Sequence, residues 1–394
     1  MMKRLLSPLL CLFCAISLFA CSVPEEHRFI NPTESVDWEP TQPNPTQATE
    51  PTPVTTVPPS VMTASDLADD LSLQQQVAQL FLVKCPAGGA SELLKQHHVG
   101  GIVLFSQDVA GETPSSLKTK LTGYQSYVPI PLIIAVDEEG GTVTRISNRE
   151  AFRSEAFDSP QEIYLRGGLN ALRETEKEKA QLLKSIGINV NLAPVCDVVT
   201  EDNAFMADRS LRLTEKATGE AVAAMVKAMQ AEGIGAVLKH FPGFGNLTGD
   251  THTGKVVDDR PMEMLRQYDF VPFQMGIDAK VGAVMMSHSI VNCIDETRPA
   301  SLSKDVIRIL REDFGFDGII MTDDLAMGAI TDSYDEGEAA VQAILAGNDM
   351  LLTGWSETQY QAILAAVETN RISPARIYES VVRIIQWKMD LGLL

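Results

Sequence analysis

Short apolar runs alternate with longer amphipathic segments along residues 64–394 of this chain. Runs that are apolar at nearly every position are typical of strands buried on both faces of a parallel sheet. We predict eight such strands, at about 78–84, 100–105, 131–137, 188–194, 235–240, 282–288, 317–323 and 348–353.

Helical patterns separate these runs. The clearest spans 214–232 and ends at Gly233; others span 303–313, opened by the capping residue Ser303, and 336–346, before Gly347. A helical tail is predicted at 357–390. Eight strands alternating with helices predict an α/β fold of the (β/α)8 barrel type. A doubly wound open sheet is the alternative, and the lack of a GxGxxG fingerprint or a P-loop argues against it.

The first 61 residues follow a different pattern. Residues 1–20 place Lys3 and Arg4 before a short apolar run, as in an export signal. Leu18 to Cys21 (LFAC) resembles a bacterial lipobox, so we expect Cys21 to be lipidated; an ordinary secretory signal is the alternative. Residues 22–61 hold nine of the 21 prolines and few aliphatic residues, which predicts disorder. We therefore expect a signal at 1–20, a tether at 21–61 and one folded domain at 62–394.

Charge and cysteine content narrow the classes of function. The formal net charge of −20 becomes −22 without the signal, and so acidic a surface repels nucleic acid. Cys85, Cys196 and Cys293 remain after the signal and the lipidation site are set aside, each beside apolar residues. We expect three buried free thiols, with no disulfide framework and no zinc site.

Polar residues stand where several predicted strands end. In a barrel these positions converge on the carboxyl-terminal mouth, where active sites form. The strand ends in question carry Asp137, Lys239 with His240, Ser287 with His288, and Asp323.

Two further segments carry candidate chemistry. The glycine-rich loop 239–254 contains Asp250-Thr251-His252, in which the carboxylate could accept one ring N–H and leave the other nitrogen as a proton donor or acceptor. The segment 318–330 contains Asp323 and Asp324. Because side chains alternate along a strand, we expect only one of these two acids to enter the mouth, with the other capping the next helix or bonding within the loop.

Taken together, the motifs resemble glycoside hydrolase family 3, and in particular its single-barrel β-N-acetylglucosaminidases of peptidoglycan turnover. They occur in order along 75–353: GGIVLF (100–105), VDEEGGTVTRI (136–146), NLAPVCDV (191–198), DRSL (208–211), KHFPGFG (239–245), the Asp250/His252 pair and TDDLAM (322–327).

The resemblance implies roles residue by residue. Asp323 would be the nucleophile, His252 the general acid/base and Asp250 its orienting partner. The sugar would be held by the remaining candidates, Asp137, Arg145, Arg209, Lys239, His240 and His288, although a purely structural role for His288 is an equal alternative. Two positions depart from the family pattern: Phe244 replaces a usual histidine, and Thr142 replaces a usual basic residue.

The implied activity is a retaining hydrolysis that releases terminal GlcNAc from wall fragments such as GlcNAc-MurNAc. Neither an organic cofactor nor a metal is implied, and phosphorolysis stays open beside hydrolysis. We expect an extracytoplasmic enzyme anchored to the membrane through Cys21, with a monomer as the simplest assembly. The alternatives are another family 3 exo-glycosidase, such as a β-glucosidase, and a non-catalytic sugar-binding lipoprotein.

Overall fold

The computed structural model describes residues 62–394 of the chain. The predicted signal, lipidation site and tether (1–61) lie outside the described residues. Within residues 62–394, no helix has both the length and the apolar character needed to cross a membrane.

Eight parallel strands form one sheet whose neighbours follow each other along the chain. The strands are β1 (Phe81–Lys84), β2 (Gly101–Leu104), β3 (Ile133–Val136), β4 (Val190–Asn191), β5 (Gly235–Phe241), β7 (Ala283–Met286), β10 (Ile319–Thr322) and β11 (Leu351–Thr353). The last strand pairs with the first, and the N–H of Thr322 donates to the carbonyl of Met350 at 3.1 Å. The sheet is therefore closed, which confirms the predicted (β/α)8 barrel against the open-sheet alternative.

A small second sheet is formed by short strands that lie before and after β7 in the chain. It contains β6 (Val257–Asp258), β8 (Ile290–Val291) and β9 (Asp295–Pro299).

Helices surround the barrel and cover its outer face. They are α1 (Ala64–Asp69), α2 (Leu73–Gln79), α3 (Ser91–His97), α4 (Pro114–Gln125), α5 (Pro160–Ser185), α6 (Glu215–Ala231), α7 (Met262–Met264), α8 (Phe270–Asp278), α9 (Lys304–Arg308), α10 (Gly328–Thr331), α11 (Glu336–Ala346), α12 (Glu357–Glu368) and α13 (Pro374–Asp390). π-Helical turns at Leu265–Asp269 and Ile309–Asp313 extend α7 into α8 and lengthen α9.

The helix predictions agree closely with these bounds. Thr214 caps α6 by accepting a hydrogen bond from the N–H of Ala217, and Ser303 caps α9 in the same way. The strand predictions were less accurate at their ends. The run at 78–84 begins within α2. Only two residues of the run at 188–194 pair as a strand, since the chain turns at Pro194.

The cysteine prediction is correct for two thiols and wrong for the third. Cys85 and Cys196 are buried and free, whereas Cys293 is exposed. Cys293 follows the short strand β8 in a loop outside the barrel, where neighbouring apolar residues in sequence do not imply burial.

Candidate active site

A cavity of about 590 Å³ opens at the carboxyl ends of the barrel strands. Seven of the nine predicted site residues line it, namely Asp137, Arg145, Arg209, Lys239, His240, His252 and Asp323. Asp250 contacts one of these seven, and His288 alone is shut out of the cavity. The predicted convergence of strand ends is therefore confirmed as geometry, while the role of each residue stays a prediction.

Asp323 directly follows β10 and is fixed by backbone contacts. Its N–H donates to the carbonyl of Met286 at 3.0 Å, and its Oδ1 accepts the N–H of Asp324 at 2.8 Å. Burial is the largest single effect and acts to raise the pKa of Asp323, but His240, His288, the N–H of Asp324 and Lys239 together outweigh it. The pKa consequently lies below the ordinary value of a carboxyl, so Asp323 is an anion at neutral pH.

Asp324 also lines the cavity, so the prediction that only one of the two acids enters the mouth was wrong. The strand ends at Thr322, and the alternation of side chains ends with it. Asp324 pairs with Lys84 at 2.7 Å and accepts the N–H of Ala326 at 3.0 Å, which agrees with the predicted bond within the loop.

The Asp250/His252 pair has the geometry expected of an oriented acid/base. Oδ1 of Asp250 lies 2.7 Å from Nδ1 of His252 and also accepts the backbone N–H of His252 at 2.9 Å. The contact at Nδ1 leaves Nε2 of His252 available to a ligand in the cavity. The His252 side chain is 61% exposed, since it lies on a loop and not on the barrel wall.

Backbone contacts attach this loop to the segment after Asp323. The N–H of Gly328 donates to the carbonyl of His252 at 3.0 Å, and the N–H of Ala329 donates to Thr251 at 3.0 Å. A Cβ on residue 328 would lie 2.9 Å from the carbonyl carbon of Thr253. The absence of a side chain at Gly328 therefore permits the close approach of the His252 loop.

Arg145 is brought into the cavity by a buried acid that the sequence-based reasoning did not assign. Glu138 accepts the backbone N–H groups of Arg145 and Ile146 at 2.8 Å each and that of Ser147 at 3.2 Å, which shapes the loop after β3. Nε of Arg145 is buried without a hydrogen-bond partner among the residues that the structure describes. A buried unpaired donor is unfavourable, so this group is well suited to a ligand oxygen.

Glu139 organises the cationic side of the cavity and was likewise missed. Its carboxylate binds Arg209 through two contacts, at 2.7 and 3.0 Å, and Lys239 at 2.6 Å. Burial acts to raise the pKa of Glu139, but Lys239 and Arg209 outweigh it and hold the pKa well below its usual range. Lys239 also pairs with Asp137 at 2.7 Å, and these two carboxylates raise the pKa of Lys239 against the effect of burial.

A third missed acid, Asp197, orients His240. Its Oδ2 lies 2.9 Å from Nδ1 of His240, and its Oδ1 accepts the N–H of Phe244 at 2.6 Å. The peptide bond between Lys239 and His240 is cis, and both side chains line the cavity. Phe244 itself is buried and packs against Phe205, with ring centroids 5.8 Å apart.

The prediction that His288 contacts the sugar was wrong. Only 1% of His288 is exposed, and its ring nitrogens contact Oγ of Ser301 at 2.7 Å and the carbonyl of Asp324 at 3.0 Å. Burial lowers the pKa of His288. The ring therefore supports the loop after Asp323 as a neutral structural group, which was the alternative interpretation.

The missed acids all lie inside motifs that the sequence made visible. Glu138 and Glu139 belong to VDEEGG, and Asp197 belongs to NLAPVCDV. For Asp197 the available signal was an acid within an otherwise apolar stretch, and for Glu138 and Glu139 it was a run of acids at the end of a predicted strand, because buried carboxylates need paired partners. In residues 62–394, no three His, Cys, Asp or Glu side chains are grouped so that they could hold a metal ion.

Residues 72–387 match the family model described as Glycosyl hydrolase family 3 N terminal domain. Because this match covers most of the chain, the chain belongs to glycosyl hydrolase family 3 and is a glycoside hydrolase.

Individual relatives extend the likeness. Beta-hexosaminidase LpqI of Mycobacterium tuberculosis (strain ATCC 25618 / H37Rv) is 31% identical over 332 residues, which cover 81% of this chain and 83% of that protein. Beta-hexosaminidase A of Pseudoalteromonas piscicida is 32% identical over 328 residues, which cover 76% of this chain and 55% of that longer protein.

A solved family 3 beta-N-acetylglucosaminidase from Paenibacillus sp. str. FPU-7 has the same fold, with a TM-score of 0.77 and 32% identity. The match covers 82% of this chain and 63% of that chain. The structure of M. tuberculosis LpqI gives a TM-score of 0.76 at 29% identity, and covers 84% of this chain and 97% of that chain.

Proposed function

We propose that this protein is an exo-acting, retaining β-N-acetylglucosaminidase that removes terminal GlcNAc from peptidoglycan fragments. The observation that carries this proposal is that an anionic Asp323 and the Asp250-oriented His252 line the same cavity. A carboxylate nucleophile and a separate proton donor are the two groups that retaining glycoside hydrolysis requires.

The proposed reaction has two steps. In the first, an oxygen of Asp323 forms a bond to the anomeric carbon while the bond to the leaving oxygen breaks and His252 gives that oxygen a proton. In the second, His252 takes a proton from water, the water oxygen bonds to the anomeric carbon, and the bond to Asp323 breaks. Most retaining enzymes use a second carboxylate as the acid, so the Asp250/His252 pair is a variation on that scheme.

Other charged groups that line the cavity would hold the terminal sugar. Arg145 and Lys239 offer charged donors, Asp137 offers an acceptor, and such hydrogen bonds to hydroxyl groups are stronger than neutral ones. Lys239 is already fixed by Asp137 and Glu139, so its position does not depend on the ligand. This pre-organisation lowers the cost of binding.

The choice of sugar rests on the relatives, whose names are beta-hexosaminidase and beta-N-acetylglucosaminidase. The choice of wall fragments and of an extracytoplasmic, membrane-anchored location rests on the signal-like residues 1–20, Cys21 and the proline-rich segment to residue 61. A lipid at Cys21 would keep the enzyme at the membrane, where it would meet wall fragments.

The proposal is tested with the full chain on 4-nitrophenyl β-N-acetylglucosaminide, beside the matching β-glucoside. Release of 4-nitrophenol from the first substrate, lost in Asp323→Ala, would support the enzyme, the sugar and the nucleophile together. Preference for the β-glucoside would favour another family 3 exo-glycosidase. Binding of GlcNAc without any turnover would favour a sugar-binding protein. Reactions in phosphate and in a phosphate-free buffer, with the product assayed for GlcNAc-1-phosphate, separate phosphorolysis from hydrolysis.

A further inference from the structure

The ring of Phe205, on the loop between β4 and α6, packs against the imidazole of His252. The two ring centroids are 6.2 Å apart and the ring planes are tilted by 48°, a separation typical of aromatic pairs. Phe244 packs against the same phenylalanine, with centroids 5.8 Å apart. A continuous set of ring contacts therefore leads from the buried Phe244 through the half-buried Phe205 to the exposed His252.

The buried end of this set belongs to a small apolar cluster that is separate from the main core. The buried members of the cluster are Val195, Val199, Ala204, Met206, Ala207, Phe244 and Val256. Phe205 and Leu247 pack against them. All of these residues come either from the loop after β4 or from the loop after β5, which carries His252. The cluster thus joins the two loops by apolar packing.

Hydrogen bonds attach the same two loops to each other. The N–H of Phe205 donates to the carbonyl of Leu247 at 2.9 Å. Oδ1 of Asn246 accepts the N–H groups of Thr200 and Glu201 at 2.8 and 3.1 Å. The main chain that carries Phe205 is therefore held by contacts that do not involve the side chain of His252. Its ring provides a fixed surface for the imidazole.

The imidazole of His252 requires such a surface. Its side chain is 61% exposed, and its partner Asp250 lies on the same loop only two residues away. A hydrogen bond at Nδ1 still permits the ring to rotate about that contact, whereas packing against a second ring restricts the rotation. The position of Nε2 matters because a misplacement of roughly 1 Å can lower a catalysed rate by about 100-fold.

We propose that Phe205 is a positioning residue for the general acid/base, and that it holds the imidazole of His252 so that Nε2 faces the leaving oxygen of the substrate. This inference rests on the proposed function. Neither Phe205 nor Phe244 is among the described residues that line the active-site cavity. Phe205 therefore acts through His252 and not on the substrate, while Phe244 supplies the buried ring that supports it.

Five variants of the full chain test this role. Phe205→Ala removes the ring, Phe205→Leu keeps apolar bulk without a ring, and Phe205→Tyr keeps the ring. Phe314→Ala is the matched control, because Phe314 is also half-buried and also packs against two rings, at 5.3 and 5.7 Å, yet lies outside the cavity. His252→Ala shows the full effect of losing the proton donor.

The readout is kcat/KM for two substrates that differ in their need for a proton, methyl β-N-acetylglucosaminide and 2,4-dinitrophenyl β-N-acetylglucosaminide. The methoxide oxygen must be protonated as it leaves, whereas dinitrophenolate is a stable anion that leaves without a proton. Because kcat/KM covers only the steps up to the first bond cleavage, it separates proton donation by His252 from its later role as a base.

We expect Phe205→Ala and Phe205→Leu to lower kcat/KM for the methyl glycoside about tenfold, roughly the scale of one lost aromatic pair, and to leave the value for the dinitrophenyl glycoside within about twofold. Phe205→Tyr should keep both values within about twofold of the unaltered protein, since the ring contact is retained. His252→Ala should show the same selective loss at a larger size. Phe314→Ala should leave the ratio of the two values unchanged, even if it lowers the unfolding temperature.

Equal losses on both substrates in Phe205→Ala, no loss on the methyl glycoside, or the same selective loss in Phe314→Ala would overturn the inference. The proposed function would stand in each case, provided that His252→Ala shows the selective loss. If Phe205→Ala does not fold, Phe205→Leu decides the question. Failure of the unaltered protein to cleave either substrate, or equal losses in His252→Ala, would instead refute the proposed function or the proposed role of His252, and this inference with it.

Discussion

The two ends of the barrel both bury charged side chains, but they use them differently. At the mouth, Glu139 fixes Lys239 and Arg209 on a cavity wall, and Arg145 keeps a donor without a partner. At the opposite end, Asp349 precedes β11 and is surrounded by three arginines, Arg311, Arg376 and Arg383.

The protein itself satisfies the charges at that opposite end. Oδ1 of Asp349 accepts the hydroxyl of Ser380 at 2.7 Å, and Oδ2 accepts the N–H of Ile320 at 3.1 Å, so α13 and β10 are joined through one carboxylate. Buried charge therefore lines a cavity at the mouth, where we propose that it binds a ligand, and joins elements of the fold at the base. Substitutions at the two ends should separate activity from stability.

The largest expected effect is at the mouth. Asp323→Ala should lower kcat on the order of 10⁴-fold or more, because no other group replaces the nucleophile. Thermal unfolding should show only a small loss of stability, since the lowered pKa of Asp323 means that its favourable contacts exceed its desolvation cost by a modest margin. Asp324→Asn is the neighbouring control and should retain most activity. A larger loss of kcat in Asp324→Asn than in Asp323→Ala would show that Asp323 is not the nucleophile.

The second-largest loss of kcat is expected at the Asp250/His252 pair. Asp250→Ala should lower kcat by about 10²–10⁴-fold, the usual scale of positioned acid–base catalysis, because His252 loses the partner at Nδ1. The dependence of kcat on pH should change in shape along with its magnitude. Full activity with an unaltered pH profile would contradict the proposed role of Asp250.

A substitution at the base of the barrel should lower stability and leave activity unchanged. Asp349→Asn leaves three guanidinium groups around a neutral amide, so the free energy of unfolding should fall by about 3–5 kcal/mol. Urea titration measures this loss, and kcat of the folded protein should stay unchanged. Asp317→Asn, an exposed change in the loop before β10, is the control. A loss of kcat without a loss of stability in Asp349→Asn would contradict the proposed difference between the two ends of the barrel.

The smallest expected effect depends on pH. Lys388 on α13 is fully buried and donates to Oε1 of Gln79 at 2.7 Å, and burial lowers its pKa to about 7. Between pH 7 and the ordinary lysine value the unfolded chain binds more protons than the folded one, so this residue makes stability rise with pH in that window. Below pH 7 Lys388 is protonated in both the folded and the unfolded chain, and its burial lowers the free energy of unfolding by the full amount.

Lys388→Met should therefore stabilise the protein more at pH 6 than at pH 9.5, by about 3 kcal/mol in the free energy of unfolding. Lys227→Met, on the exposed side of α6, serves as the control and should show no such difference. An equal effect of Lys388→Met at both pH values would mean that Lys388 keeps its charge in the folded protein.

Strands and helices were predictable because each has its own hydrophobic period, and the positions of Asp137, Lys239 and Asp323 followed from the ends of strands. The loops were less predictable. Asp324 enters the cavity because pairing stops one residue before Asp323, and His288 is shut out because Ser301, 13 positions further along the chain, contacts its ring.

Partners of buried acids were the hardest to foresee. Glu139 and Arg209 are separated by 70 positions in sequence, and Asp197 and His240 by 43. Local patterns contain no information on such pairings, which arise only when the barrel closes and brings distant strand ends together.

The contact at Gly328 has a consequence for anyone who would re-engineer this enzyme. The contact there joins main chain to main chain, so it holds the backbone of the His252 loop against the segment after Asp323 without using a side chain. Other residues of that loop could be exchanged to alter substrate preference, provided that Asp250, His252 and Gly328 are kept. The proposed nucleophile and the proposed acid/base thus lie on two segments that are attached to each other through the main chain at Gly328.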